Sequence, residues 1–195
     1  MSEHHMTHSA AALAGITSDS VFARVCAYWA ILRENGTAPK RSAIDPRALG
    51  DALPHVFLAE LVAPRVARLR ICGHKIEDLM GMDMRGMPLT VLFQGNARDA
   101  VAEAVEQVSH GARVILSLEG ESGFGLPEVK ATLALMPLAD ESGRITRMMG
   151  VIERRGEPGR TPRRFGLATP VSEQGHAVAA APARPTLRVI DGGRG

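Results

Sequence analysis

The sequence predicts an α+β domain: one five-stranded antiparallel sheet with a helical insert on one face, plus a leading amphipathic helix. Three observations carry this reading. Two stretches, residues 54–73 and 112–155, read as runs of strands: 54–63 is β-branched and apolar, while 66–73 and 112–120 alternate apolar with polar residues, the period of a half-buried strand. The stretch between them changes to helical spacing. Ahead of both, a single apolar stripe recurs every three or four residues.

Taken in order, Ser18, Asp19 and Ser20 offer oxygens to cap a helix, and Gly36 stands where that helix should stop. Phe22, Val25, Cys26, Trp29 and Leu32 form its apolar stripe. The stripe can cover the sheet, pack against a second copy, or do both. Residues 37–46 form a connector with two prolines, and a short helical turn is expected from Pro46 to Ala52. Residues 54–63 and 66–73 then read as a hairpin around Pro64, with Ala67, Leu69 and Ile71 on one face and Arg68 and Arg70 on the other.

Gly73 ends that strand, and His74–Met80 reads as a short helix closed by Gly81. Residues 88–93 suit one or two helical turns. Asn96 with Asp99 forms a cap-like start to a longer helix whose buried face is Val101, Ala104, Val105 and Val108, ending before Gly111. Strands follow at 112–120, 129–138 and 144–155, the last two joined by the Asp140–Gly143 turn. Residues 1–17 are expected to be a flexible lead, 18–52 the leading helix and its connector, and 53–155 the domain proper. From Gly156 to Gly195 the composition turns to Pro, Gly, Arg and Ala, so a mostly disordered tail is expected. Within it, Leu187–Ile190 suits either an added strand or no structure, and loss of residues 160–195 should leave the domain folded.

Composition narrows the function classes. Aromatic residues make up 4% of the chain and the net charge is +2, which argues against a stacking or electrostatic nucleic-acid surface. No run of eighteen apolar residues occurs to span a membrane, and the N-terminus lacks the basic start of a signal peptide. A cytoplasmic location is expected, where the Asn35-Gly36-Thr37 sequon is irrelevant. The two cysteines, Cys26 and Cys72, read as small buried hydrophobes.

A set of short motifs adds to the order of elements. Tyr28-Trp29 and Leu32-Arg33 lie in the leading helix, and Pro39, Arg41 and Asp45-Pro46 in the connector. Leu53-Pro54 precedes the first strand, residues 70–73 run from Arg into Gly, and Gly81 and Gly86 follow the short helix. With these motifs, residues 20–155 resemble a PAS domain, in the manner of small single-domain alphaproteobacterial members. The resemblance implies a helical insert between the second and third strands that wraps one sheet face and encloses a pocket. It further implies a sensory module that acts in trans on an unidentified signalling protein, as a homodimer. Phe22, Val25, Trp29 and Leu32 are then the candidate interaction residues.

The candidate pocket residues are Phe57, Leu69, Ile71, Met80, Met84 and Met87, with Leu92, Met136 and Met148. Methionine fills irregular cores and equally suits adaptable binding surfaces, so both core filling and a small apolar metabolite fit the four methionines of residues 80–87. No cofactor follows from the residues. The alternative reading is a redox or gas sensor with bound haem or another cofactor, as in some PAS relatives. Haem needs an axial ligand, for which His55, His74 and His110 are the candidates, although a surface histidine near an element's end is the commoner explanation of each. Other relatives use a flavin with a cysteine in an Asn-Cys-Arg motif, which neither cysteine matches. His4, His5 and His8 could form a metal tract, but incidental histidines in a flexible end account for them more simply. Enzymatic chemistry is not expected. Residues 120–125 resemble a nucleophile elbow only superficially, because Phe124 stands where the second glycine belongs, and no Cys/His spacing suits zinc.

Overall fold

The computed structural model of the chain describes residues 20–168. The His4, His5 and His8 tract, the expected flexible lead and Leu187–Ile190 lie outside the described residues. Six antiparallel strands make one sheet in the order β2-β1-β5-β4-β3-β6. They are β1 Val56–Ala63, β2 Val66–Cys72, β3 Val114–Gly120, β4 Lys130–Ala139, β5 Ile145–Arg155 and β6 Phe165–Leu167. The helices are α1 Val21–Ile31, α2 Pro46–Leu49, α3 His74–Met80 and α4 Arg98–Ser109.

Local chemistry accounts for most of these boundaries. Ser20 caps α1 by accepting from the Ala23 amide, and Gly81 closes α3 in the left-handed conformation, φ 69°. The Asp140 carboxylate accepts from the amides of Ser142 and Arg144, which pins the turn that aligns β4 with β5. Gly73 is required by close approach, because a Cβ there would sit 2.2 Å from the Pro54 carbonyl oxygen. The cap expected from Asn96 is not used. A 3-10 turn over Gly95–Ala97 leads directly into α4, and its N-cap, Ala97, has no side-chain bond to offer.

The sheet is covered on both faces. The insert, α3 through α4, packs on one face to form the inner core. On the other face α1 buries Phe22, Val25 and Trp29 against β4 and β5, forming the outer core. The Trp29 indole donates to the Pro137 carbonyl at 3.0 Å. The Glu153 carboxylate on β5 accepts from the amides of Val21 and Phe22, both at 3.2 Å, so the sheet itself caps the helix.

The sheet has one strand more than the sequence pattern predicts. β6 lies in residues read as tail, pairs with β3 from Leu118↔Leu167 to Gly120↔Phe165, and places Phe165 in the inner core with no exposed surface. Arg163 beside it is 1% exposed and donates to the carbonyls of Pro127 and Pro158. β6 and Arg163 are therefore part of the packed domain, and removal of residues from 160 onward takes away core. A three-residue strand flanked by Pro and Arg has no period to detect, and that hid it.

Candidate functional site

The space between the insert and the sheet is where the fold gathers its interior side chains. From the sheet come Phe57, Leu69 and Met148, and from the insert Met80, Met84 and Leu92, all buried in one cluster. These are six of the nine residues that the sequence nominated. Met87 is half-buried against the same cluster. The insert therefore does fold back and close on the sheet.

Two nominated residues lie elsewhere. Ile71 is 51% exposed on the opposite face of the sheet. The register shifts between Leu58↔Ile71 and Ala59↔Leu69, so an irregularity at Arg70 sends Leu69 and Ile71 to different sides. Met136 is fully buried, but in the outer core beneath α1, opposite its pairing partner Met149. β4 is apolar on both faces, and such a run carries no information about which residues point which way.

The interaction stripe is likewise engaged within the chain. Phe22, Val25 and Trp29 are buried in the outer core and Leu32 packs against it. Contact of those four residues with another molecule requires α1 to leave the sheet.

The inner core holds residues that sequence reasoning missed. Phe93 and Phe165 have no exposed surface and are joined by a backbone bridge, while the Gln94 amide donates to the Phe165 carbonyl at 2.8 Å. Gly150 lies under the Phe57 ring, where a Cβ would come within 2.0 Å of it. These side chains fill the space that the sequence reading left for a ligand. The two best-formed depressions among the described residues are on the surface. One, of about 280 Å³, lies among Arg41, Leu58, Glu60, Arg70, Ile71 and Arg147. The other, of about 480 Å³, lies between the β1–β2 turn and the end of α4.

The polar chemistry within this shell is sparse. Among the described residues Arg163 is the buried polar or charged side chain, and it is held by carbonyls outside the inner core. Burial pushes the Cys26 thiol up to about 11. Burial, reinforced by Glu77 and Asp83, pushes Cys72 up to about 12. Both thiols are protonated at neutral pH and are poor nucleophiles. His74 and His110 are exposed, and His55 is half-buried with Nδ1 3.2 Å from the Ile152 carbonyl. None of the three presents an imidazole to the inner core, so none of these histidines is placed to ligate a haem there. No group of three or more possible metal ligands occurs among the described residues.

The sequence profile of the PAS domain matches residues 17–153, well over half of the chain. The chain belongs to the PAS domain family. Its match ends before β6, so the strand that carries Phe165 lies beyond the family's matched extent. PAS domains are typically sensory and non-catalytic, which supports a sensory module of signalling as the kind of protein this is. Similar solved structures include LOV proteins. The light state of the blue-light photoreceptor aureochrome1 LOV is 17% identical, with 57% of this chain and 88% of that chain covered and a TM-score of 0.41. A fungal LOV domain photoreceptor is 18% identical, covering 75% and 95%, also at 0.41. The Rhodobacter sphaeroides LOV protein is 16% identical, covering 52% and 59%, again at 0.41. No curated protein matches the chain. No helix among the described residues is long and apolar enough to cross a membrane.

Proposed function

We propose that this PAS domain is a non-catalytic, cytoplasmic sensory module that acts in trans through contacts with another signalling protein, as a homodimer, and that its inner core is where a small apolar molecule is sensed. The observation that carries the reading is the closure of the insert on the sheet through methionines. Met80 and Met84 from the insert and Met148 from β5 share the inner core, with Met87 at its margin. Methionine has three rotatable bonds and a polarizable sulfur, so it can change rotamer to make room where Leu or Phe would resist. A ligand of this kind enters a space that side chains otherwise fill, and it shifts the insert as it does so.

Native mass spectrometry of the purified full chain tests this. The expected result is a non-covalent adduct that disappears on denaturation and is lost in the Met84→Phe variant, whose ring occupies the space more rigidly. A bare chain mass, together with no change in melting temperature across a panel of apolar metabolites, refutes the ligand part of the proposal.

A further inference from the structure

The structure places an apolar knob and an apolar hollow of complementary charge at opposite ends of the same sheet. The knob is Phe124, at the tip of the β3–β4 connection, with its side chain fully exposed at 107%. It stands on a defined turn, in which Gly123 accepts from the Leu126 amide at 3.1 Å and Gly125 adopts φ 74°. Glu121 beside it is exposed and has no ion pair among the described residues. Glu128, across the loop, pairs with Lys130 at 2.8 Å.

The hollow is the depression of about 280 Å³ on the outer face of β2, β1 and β5, which α1 leaves uncovered. Leu58 and the half-exposed Ile71 form its floor, and Arg41, Arg70 and Arg147 stand around it with Glu60 as the single acid. Arg70 is engaged by Glu60 at 2.6 Å. Arg41 and Arg147 have no side-chain partner among the described residues. At that size the hollow is below the range of about 300–1,000 Å³ usual for small-molecule sites and is better matched to one large side chain.

One exposed apolar residue is ordinary on a protein surface. This pair is informative because each half supplies what the other lacks: an aromatic ring flanked by unpaired acid, and an apolar floor flanked by unpaired arginines. We infer that Phe124 of one copy docks in the arginine-rimmed hollow of a second copy, a head-to-tail contact between PAS domains. The two halves cannot meet within one chain. Arg147 lies near the start of β5, whereas the β3–β4 loop leaves the sheet where Lys130 faces Arg155, eight residues further on. That separation is about 26 Å at about 3.3 Å per residue, and the hollow and the loop are also on different strands of the sheet.

A contact between two different patches is heterologous, so in a pair one copy keeps a free hollow and the other a free knob, and association continues with concentration. One ring in one hollow is well under the area of a stable interface, so the contact is weak. Arginine and glutamate at its margin make it weaker in high salt.

The test is sedimentation velocity on the full chain from about 1 μM to about 1 mM, at low and high salt. The expected result is a weight-average mass that rises with concentration, less so in high salt. Phe124→Ser and the double variant Arg41→Glu/Arg147→Glu should each lose this rise while keeping the wild-type circular dichroism spectrum. Mixed at equal concentration, the two variants should form a dimer and stop there, because one retains only a good hollow and the other only a good knob. Glu121→Arg paired with Arg147→Glu should restore association that either change alone weakens. A wild-type mass that stays flat to 1 mM, a rise of mass with concentration that Phe124→Ser leaves unchanged, or variants that do not associate further when mixed would each overturn the inference. The sensory reading of the inner core stands or falls separately, on the mass-spectrometric adduct.

Discussion

Replacing Phe165 by Ala tests whether the domain extends beyond the strands legible in the sequence. The side chain has no exposed surface and packs in the inner core beside Phe93. Truncating a buried Phe costs about 3–5 kcal/mol through lost transfer energy and the cavity left behind. A domain of this kind has about 5–15 kcal/mol in all, so the variant should lose a large share of its stability. The assay is urea unfolding followed by fluorescence of Trp29, the single tryptophan, which is 3% exposed, with far-UV circular dichroism as a second probe. With a slope of about 1–3 kcal/mol per molar urea, the midpoint should fall by at least about 1 M. Phe124→Ala removes the same ring from a fully exposed position and should change stability by no more than about 0.5 kcal/mol. Truncation after Gly156 should be worse than Phe165→Ala, since it also uncovers the edge of β3 and promotes aggregation. A Phe165→Ala midpoint within about 0.3 M of wild type would show that β6 is not part of the core, and with it the reasoning about the tail.

Other consequences follow from single positions. Gly150→Ala should cost about 1–3 kcal/mol or prevent folding, read by thermal melting, because its Cβ would enter the Phe57 ring. Trp29→Phe keeps most of the packing but loses the donor to the Pro137 carbonyl. A loss of about 1–2 kcal/mol is expected in urea unfolding, and no loss would remove that bond from the account. Glu153→Ala leaves the first amides of α1 without their acceptor. About 0.5–2 kcal/mol is expected, with faster hydrogen exchange confined to α1. The Cys26 thiol is raised from 9.0 to about 11, so the folded state holds its proton where the unfolded chain has released it. Stability tied to this group is complete below pH 9.0 and is lost as pH rises toward about 11. Melting temperatures measured from pH 8 to pH 11 should therefore fall less steeply in Cys26→Ala than in the wild type.

Much of the architecture was legible in the residues because it rests on short-range physics. The period of Phe22, Val25, Cys26 and Trp29 predicted α1, and Ser20 caps it as expected. Gly81 closes α3 and the Asp140–Gly143 turn joins β4 to β5, each through bonds made within a few residues. Six of the nine residues nominated for the pocket lie together in the inner core, brought there from β1, β2, β5 and the insert. The sequence could not place Ile71, because one irregular step in β2 inverts the alternation, nor Met136, because β4 is buried on both sides.

What the chain determined by itself was therefore the set of elements and the apolar side of each, which depend on neighbours three or four residues apart. The tertiary structure decided which face of the sheet each buried side belongs to. It recruited Phe165 from beyond the apparent end of the domain, and it set Phe124 and the Arg41–Arg147 hollow at opposite ends of one sheet. Those outcomes depend on strand register and on contacts between residues far apart in the chain, and no local pattern encodes either.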